Sequence, residues 1–203
     1  MRKTAAERKN EAVEAALRLA VDIGPNRVTT AAIAEALGVT QAALFRHFPR
    51  KMDIWMAAST WLAEQTADRC RPAVAGEPDS ALCRLQALVC GQIDLIVRTP
   101  AIAMLLFSTE LNIENGPLRD SLASLLARFE ARLARLLDDA RAGGEIRPDV
   151  DPGRVAGVIA SLVAGTAARW WLEGTLFDLM AESTESLRLV LDGLSDRSDR
   201  RSD

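Results

Sequence analysis

The stretch Thr29–Lys51, TTAAIAEALGVTQAALFRHFPRK, decides the fold of this chain, because its start signals, its single glycine and its basic end describe two short helices meeting at a turn. Thr29 stands where a helix cap belongs, with Val28 just before it and Ile33 four residues inside, the arrangement in which two apolar side chains staple the entering chain. Thr40 repeats the device for the second helix, with Val39 before it and Leu44 within. Gly38 separates the two. Glycine takes the left-handed backbone conformation at low steric cost, so one helix can end and the next begin at a sharp angle. In the second helix Leu44 and Phe48 are four apart and share a face, whereas Ala42, Phe45 and Arg46 point the other way. One face packs and the other is free to read, which is how a helix-turn-helix offers its second helix to DNA.

Outward from that stretch the chain reads as helices throughout. A first helix is expected over Ala5–Ile23, with Val13, Ala16, Leu17, Ala20 and Ile23 on one face and Gly24-Pro25 as its stop. A fourth starts near Arg50 and carries Ile54, Trp55, Ala58, Trp61 and Leu62, and Pro72–Asp79 reads as a loop. A fifth covers about Ser80–Val97, and Thr99-Pro100 caps a short sixth holding Ile102, Met104, Leu105, Leu106 and Phe107. Both are apolar on most sides, as helices buried within a domain are. Gly116-Pro117 opens a seventh that ends at Gly143-Gly144, Asp151-Pro152 opens an eighth running to about Glu173, and a ninth spans about Ala181–Leu194. The fold class is therefore all-α. A three-helix DNA-binding domain is expected over 1–50, a larger helical domain for effector binding and dimerisation over 51–195, and a disordered polar tail over 196–203.

Composition narrows the functional classes. The core must be built from Leu, Ala, Val and Ile, since Tyr is absent and aromatic residues make up 4%. Residues 1–71 hold 11 Lys or Arg against 8 Asp or Glu, a net +3, while residues 72–203 hold 14 against 20, a net −6. The basic end is the helix-turn-helix end, and an acidic remainder repelled by phosphates favours one docking orientation. Met1–Glu14 is charged and carries no apolar run, so a cytoplasmic protein is expected. The longest uncharged stretch, Val155–Ala168, lies between Arg154 and Arg169 and is too short to span a bilayer, so it reads as a buried helix and no membrane partner is expected. Cys70, Cys83 and Cys90 are an odd number and read as small buried thiols; neither a disulfide nor a metal site is expected, because the one histidine is His47 and no cysteine pair has zinc spacing. No cofactor is expected. An enzyme is disfavoured, since no nucleophile, base and oxyanion arrangement or Gly-rich phosphate loop can be assembled.

The paired threonines, I-A at Ile33 and Ala34, G-V-T at Gly38–Thr40, L-F-R-H-F at Leu44–Phe48, and Lys51 resemble the N-terminal domain of the TetR family of transcriptional regulators over about residues 10–62. The chain departs from the family where Ala42 replaces the usual Gly and Phe45 the usual Tyr. The rest is similar in length and helical order. The resemblance implies a homodimer on double-stranded DNA, a small-molecule effector in the C-terminal domain, and a fourth helix that carries the signal to the reading heads.

Expected roles can be assigned residue by residue. Thr40, Gln41, Ala42 and Arg46 face bases: Gln41 suits adenine, Arg46 guanine or a phosphate, and Ala42 a thymine methyl. Phe45 lacks the hydroxyl that commonly reaches a phosphate and offers a ring edge instead. Thr29, Thr30, His47 and Lys51 fix register through phosphates, although Thr29 and Thr40 also suit plain capping and His47 plain packing. Trp61, Cys90, Ile93, Met104, Phe107, Trp170 and Trp171 are the candidate lining of a cavity for an apolar or planar ligand, and equally suit a filled core. Gly157, Ser161, Ala164, Gly165 and Ala168 form a line of small residues along the eighth helix, which with Leu187 and Leu191 suits a dimer interface or packing on the seventh helix. The first reading is a repressor released from a palindromic operator by its ligand; the alternative is a DNA-binding protein answering to a protein partner, or a nucleoid-associated factor.

Overall fold

The computed structural model describes residues 4–75, 80–108, 113 and 115–195; the tail over 196–203 lies outside the described residues. Among the described residues there are nine helices and no strand: α1 (Ala5–Ile23), α2 (Thr30–Ala36), α3 (Gln41–Phe45), α4 (Lys51–Ala75), α5 (Ala81–Arg98), α6 (Ala101–Phe107), α7 (Gly116–Ala142), α8 (Pro152–Leu172) and α9 (Leu179–Asp192). Their starts are local chemistry. Thr4 and Glu7 exchange bonds as a capping box on α1, Thr29 caps Ala32 N at 3.1 Å, Thr40 caps Ala43 N at 3.2 Å, and Asp151 caps Gly153 N and Arg154 N ahead of the first-turn proline of α8.

The chain divides into two compact units. The first comprises Met1–Gln65 and Arg98–Ser124. In it α1 packs on α2 and α6, and α2 packs on α3, around Val13, Ala16, Leu17, Val28, Ile33, Leu44, Phe48, Ile54 and Trp55. Buried Ser59 of α4 shares a hydrogen bond of 2.9 Å with Ser121 of α7, so the polar pair in this core is mutually satisfied. The second unit comprises Thr66–Val97 and Leu125–Asp203. Its core holds Leu85, Leu88, Ile93, Leu133, Leu137, Ile159 and Leu187, with α9 packed along α8.

A long-range latch ties the second unit together. Arg141, Ala140, Gly144 and Glu145 close α7: Glu145 N bonds to Ala140 O at 2.8 Å and Gly144 N to Arg141 O at 3.2 Å, with Gly144 at φ +74°. Glu145 is thereby delivered to the start of α5, where its carboxylate accepts from Ser80 Oγ, from Ala81 N at 2.6 Å and from Leu82 N at 3.1 Å. Burial pushes this carboxyl upward, but the bonds from Ser80, Ala81 and Leu82, with Arg84 nearby, outweigh it and hold the group below the ordinary glutamate range.

Four expectations need correction. The loop expected over Pro72–Asp79 begins later, because α4 continues through Pro72 to Ala75; a proline removes one helical bond, which a helix flanked by good helix formers survives, and 76–79 lie outside the described residues. Thr99 does not cap α6 with its side chain: Pro100 occupies the cap position and no side-chain bond is made there, the turn being closed by Ile102 N to Thr99 O at 2.9 Å. α9 starts two residues early, at Leu179, since Asp178 caps Ala181 N at 3.0 Å. Cys83 is exposed rather than buried, on the solvent side of α5, and Cys90 is half-buried.

Candidate nucleic-acid interface

The turn between α2 and α3 is set by backbone bonds. Val39 N bonds to Ala34 O and Gly38 N to Glu35 O, both at 3.0 Å, and Gly38 adopts φ +64°. That is the six-to-one and five-to-two pattern by which a helix ends in a left-handed residue. The staple ahead of α2 is closed, with Val28 and Ile33 both buried. Ahead of α3 it is half open: Leu44 is buried but Val39 is 45% exposed, because the turn at Gly38 carries it outward.

The faces of α3 divide as the spacing requires. Leu44 of α3 and Phe48, which lies three residues past its end rather than within it, are each 3% exposed and anchor it, while Gln41, Ala42, Phe45 and Arg46 are exposed. An unusual feature is that Phe45, a large apolar ring, is 41% exposed on the face opposite the core. Thr29 and Thr40 are occupied as helix caps. Thr30 Oγ1 accepts from Gln41 Nε2 at 2.9 Å, so a residue expected to hold a phosphate also touches one expected to read a base. Lys51, the first residue of α4, donates through Nζ to the carbonyl of Asn26 at 2.8 Å, pinning the turn after α1 to the start of α4. His47 is half-buried and lines a cavity of about 240 Å³ behind α3, with Arg8, Glu11, Leu37, Val39 and Phe48 among its neighbours.

Two residues at this end escape a reading by motif. Asp53 accepts from Arg50 N at 2.9 Å and from Arg50 Nη2 at 2.9 Å, closing the first turn of α4 and holding the Arg50 guanidinium beside the helix start. The Arg50 hydrogen bond and charge keep Asp53 below the ordinary aspartate range. The three-residue spacing from Arg50 to Asp53 is a legible signal of this cap. Asn26 receives Lys51 on its carbonyl, a contact that no residue type announces.

The residues expected to line a ligand cavity are distributed over both units. In the first, Trp61 and Met104 are half-buried and Phe107 is 52% exposed, so α6 is not covered all round. In the second, Ile93 and Trp170 are buried while Cys90 and Trp171 are half-buried. A cavity of about 370 Å³ in that unit is lined by Trp170 together with Asp94, Val97, Thr175, Phe177 and Met180 among others. Trp170 Nε1 donates to Phe177 O at 3.1 Å, and the Arg169 guanidinium lies over the Phe177 ring, 4.8 Å from its centroid.

Along α8, Ser161 and Gly165 are exposed and Gly157, Ala164 and Ala168 are half-buried. A Cβ built on Gly157 or Gly165 would meet nothing within 4 Å, so at these two positions the described residues leave open space. Val158, Leu172, Leu176 and Leu189 are exposed on α8, α9 and the turn between them. Leu187 and Leu191 are buried in the packing of α9 on α8. By length and composition α8 would suffice to cross a membrane, with a mean hydropathy of 1.4, and a third of that window is buried in the protein.

Comparison with known proteins adds two family models and a set of relatives. The model of bacterial regulatory proteins of the tetR family matches residues 12–58, and that of the tetracyclin repressor-like C-terminal domain matches residues 81–176. The chain is 29% identical to the nucleoid occlusion factor SlmA of Marinobacter nauticus, over 71% of this chain and 73% of that one. Its fold is similar to that of the fatty acid degradation regulator FadR of Bacillus halodurans, with a TM-score of 0.82 at 20% identity, covering 97% of this chain and all of that one. It is also similar to FadR of Bacillus subtilis in complex with stearoyl-CoA, with a TM-score of 0.78 at 21% identity, covering 91% and 98%.

Proposed function

The chain belongs to the TetR family of bacterial regulatory proteins, and from that premise we propose that it is a dimeric repressor that reads a palindromic operator through α3 and releases it when a small apolar or planar molecule binds. The observation that carries the reading is the division of α3: two buried anchors on one side, and on the other an exposed Gln-Ala-x-x-Phe-Arg face whose donors and apolar edges suit the major groove. Thr40, Gln41, Ala42, Phe45 and Arg46 take the base edges, and Thr29, Thr30, His47 and Lys51 the backbone. The functional division is a reading head over 1–50 and an effector and dimerisation domain over 51–195.

Dimerisation is supported by the partly exposed line of small residues on α8 and the exposed apolar side chains beside it, since backbone can approach backbone closely where nothing larger than Ser or Ala intervenes. The uncharged run Val155–Ala168 between Arg154 and Arg169 is shorter than the roughly 20 residues a bilayer needs, and a third of the helix's apolar window is buried in the protein, which favours a protein partner over a bilayer for this face. Two subunits related by a two-fold axis would set their reading helices in successive major grooves, about 34 Å apart. The effector is supported by the stearoyl-CoA held by the B. subtilis relative, which makes fatty acyl-CoA thioesters the first probes. Whatever binds must favour the non-binding conformation, for equal affinity in both states would shift nothing.

A second reading rests on the likeness to SlmA: a nucleoid-associated DNA-binding protein that answers to a protein partner and uses no small effector. One experiment orders the two. Purified protein is used to select bound sequences from a random DNA library, and the enriched duplex is then titrated with acyl-CoA thioesters and other apolar ligands. An inverted repeat that is released by a ligand is the expected result. An inverted repeat released by none of them would favour the second reading, and no enriched sequence would overturn sequence-specific recognition altogether.

A further inference from the structure

We propose that Thr30 is a specificity-determining residue that acts through Gln41: its hydroxyl oxygen takes one amide hydrogen of Gln41 and so fixes the edge that Gln41 turns toward a base. The inference rests on the reading of α3 as the recognition helix. Thr30 is the first residue of α2 and Gln41 the first of α3, and the left-handed turn at Gly38 brings the two helix starts side by side. The bond from Gln41 Nε2 to Thr30 Oγ1 is 2.9 Å, well within normal geometry. The other threonines here are engaged locally: Thr29 accepts from Ala32 N and Thr40 from Ala43 N. Thr30 alone of the three reaches across from one helix to the other.

The chemistry of the amide gives this bond its consequence. A glutamine carries two N–H donors and one carbonyl acceptor on a side chain with several rotatable bonds. Exposed and unanchored on α3, it could swing to meet many acceptors and would discriminate weakly. With one hydrogen held by Thr30, a single N–H and the carbonyl remain, a donor beside an acceptor at fixed orientation. Adenine presents the matching pair in the major groove, the N7 acceptor and the N6 donor. Guanine presents acceptors at both N7 and O6, so the fixed carbonyl would face O6 with no hydrogen between them. Because the Thr30 oxygen accepts from Gln41, its own hydroxyl hydrogen stays available to a phosphate, and one residue serves both the grip on the backbone and the reading of the base.

Library selection on the wild type, Thr30→Ser, Thr30→Val, Gln41→Ala and the Thr30→Val/Gln41→Ala double variant tests this. The wild type should enrich adenine at one position in each half-site. Thr30→Val, which removes the oxygen but keeps the shape, should leave the other positions intact and cut the preference for adenine at that one by about tenfold. Thr30→Ser should keep it, and when Gln41 is already alanine Thr30→Val should weaken all sequences alike, as loss of the phosphate contact, with no further change in base preference. If Thr30→Val weakens every sequence alike with the motif unchanged, Thr30 is a phosphate contact only, and if it shifts the base preference equally in the Gln41→Ala background it does not act through Gln41; either result overturns the inference. A wild type that enriches no motif would overturn the recognition-helix reading and this inference with it.

Discussion

Arg46 and Lys51 carry the same charge five residues apart, yet their removal should be told apart by sequence and salt. Arg46 stands exposed on the reading face of α3, and Arg46→Ala should cost about 1 to 3 kcal/mol on the selected operator and relax the preference at the position it faces. Equal loss on operator and random duplex, in a competition binding assay, would move Arg46 to the backbone. Lys51 sits at the start of α4 with its ammonium on the Asn26 carbonyl. Lys51→Ala should weaken all sequences alike and lower the slope of log affinity against log salt by about 1, as expected for one phosphate contact. At this scale the sequence told some contacts and hid others for a simple reason. Thr29 and Thr40 were legible as caps because their partners lie three residues on. The bond between Thr30 and Gln41, eleven residues apart, exists only once two helices have packed.

Helix ends were legible to within a few residues from local punctuation, and what the sequence hid was the contact that a distant residue adds to such an end. The bounds of α1 follow from a capping box and Gly24, and α7 runs from Gly116 to the glycine pair after Ala142. The start of α5 is different. Ser80 caps it locally, its Oγ accepting from Cys83 N at 3.2 Å, but a second, carboxylate cap comes from Glu145, more than sixty residues on, and no pattern around Ser80 points to that one. Glu145→Ala should therefore cost about 0.5 to 2 kcal/mol of stability in denaturant unfolding, the range for loss of a helix cap. The pH dependence has a definite sign: the folded-state carboxyl lies below its ordinary range, so the latch contributes fully above that range and is lost as pH falls through the folded value. Wild type should lose stability over that acid window, and Glu145→Gln should lose less of it. Gly38→Ala tests the turn by contrast with a clash. Nothing lies within 4 Å of the added carbon, so the cost, about 1 to 2 kcal/mol, should be backbone strain at φ +64° alone. A larger loss in thermal unfolding would mean that the turn itself had rearranged.

For the whole molecule the legible and the hidden divide along the same line. An apolar stripe looks alike in a filled core and in a cavity wall, and so the seven residues chosen as a lining fall in two separate units, with Trp170 bordering the cavity found in the second. The line of small residues on α8 is more informative, because glycine weakens a helix interior and two glycines on one face are better explained where a backbone can approach closely. Among the described residues none lies within 4 Å of a Cβ built on Gly157 or Gly165, and Val158, Leu172 and Leu189 are exposed on the two helices. A second copy of the chain is the occupant that the proposed palindromic operator requires, since two-fold DNA calls for two reading heads at fixed spacing. Gly165→Leu adds a branched side chain to an exposed position, so it should leave the fold and its unfolding midpoint nearly unchanged. It should instead split the dimer in sedimentation velocity and weaken operator binding, because each monomer would then grip one half-site alone. Val158→Arg, on the exposed neighbouring position, should do the same by placing charge in the interface. Both variants sedimenting as intact dimers would place the two-fold contact on another surface, and the operator spacing would have to be explained from there.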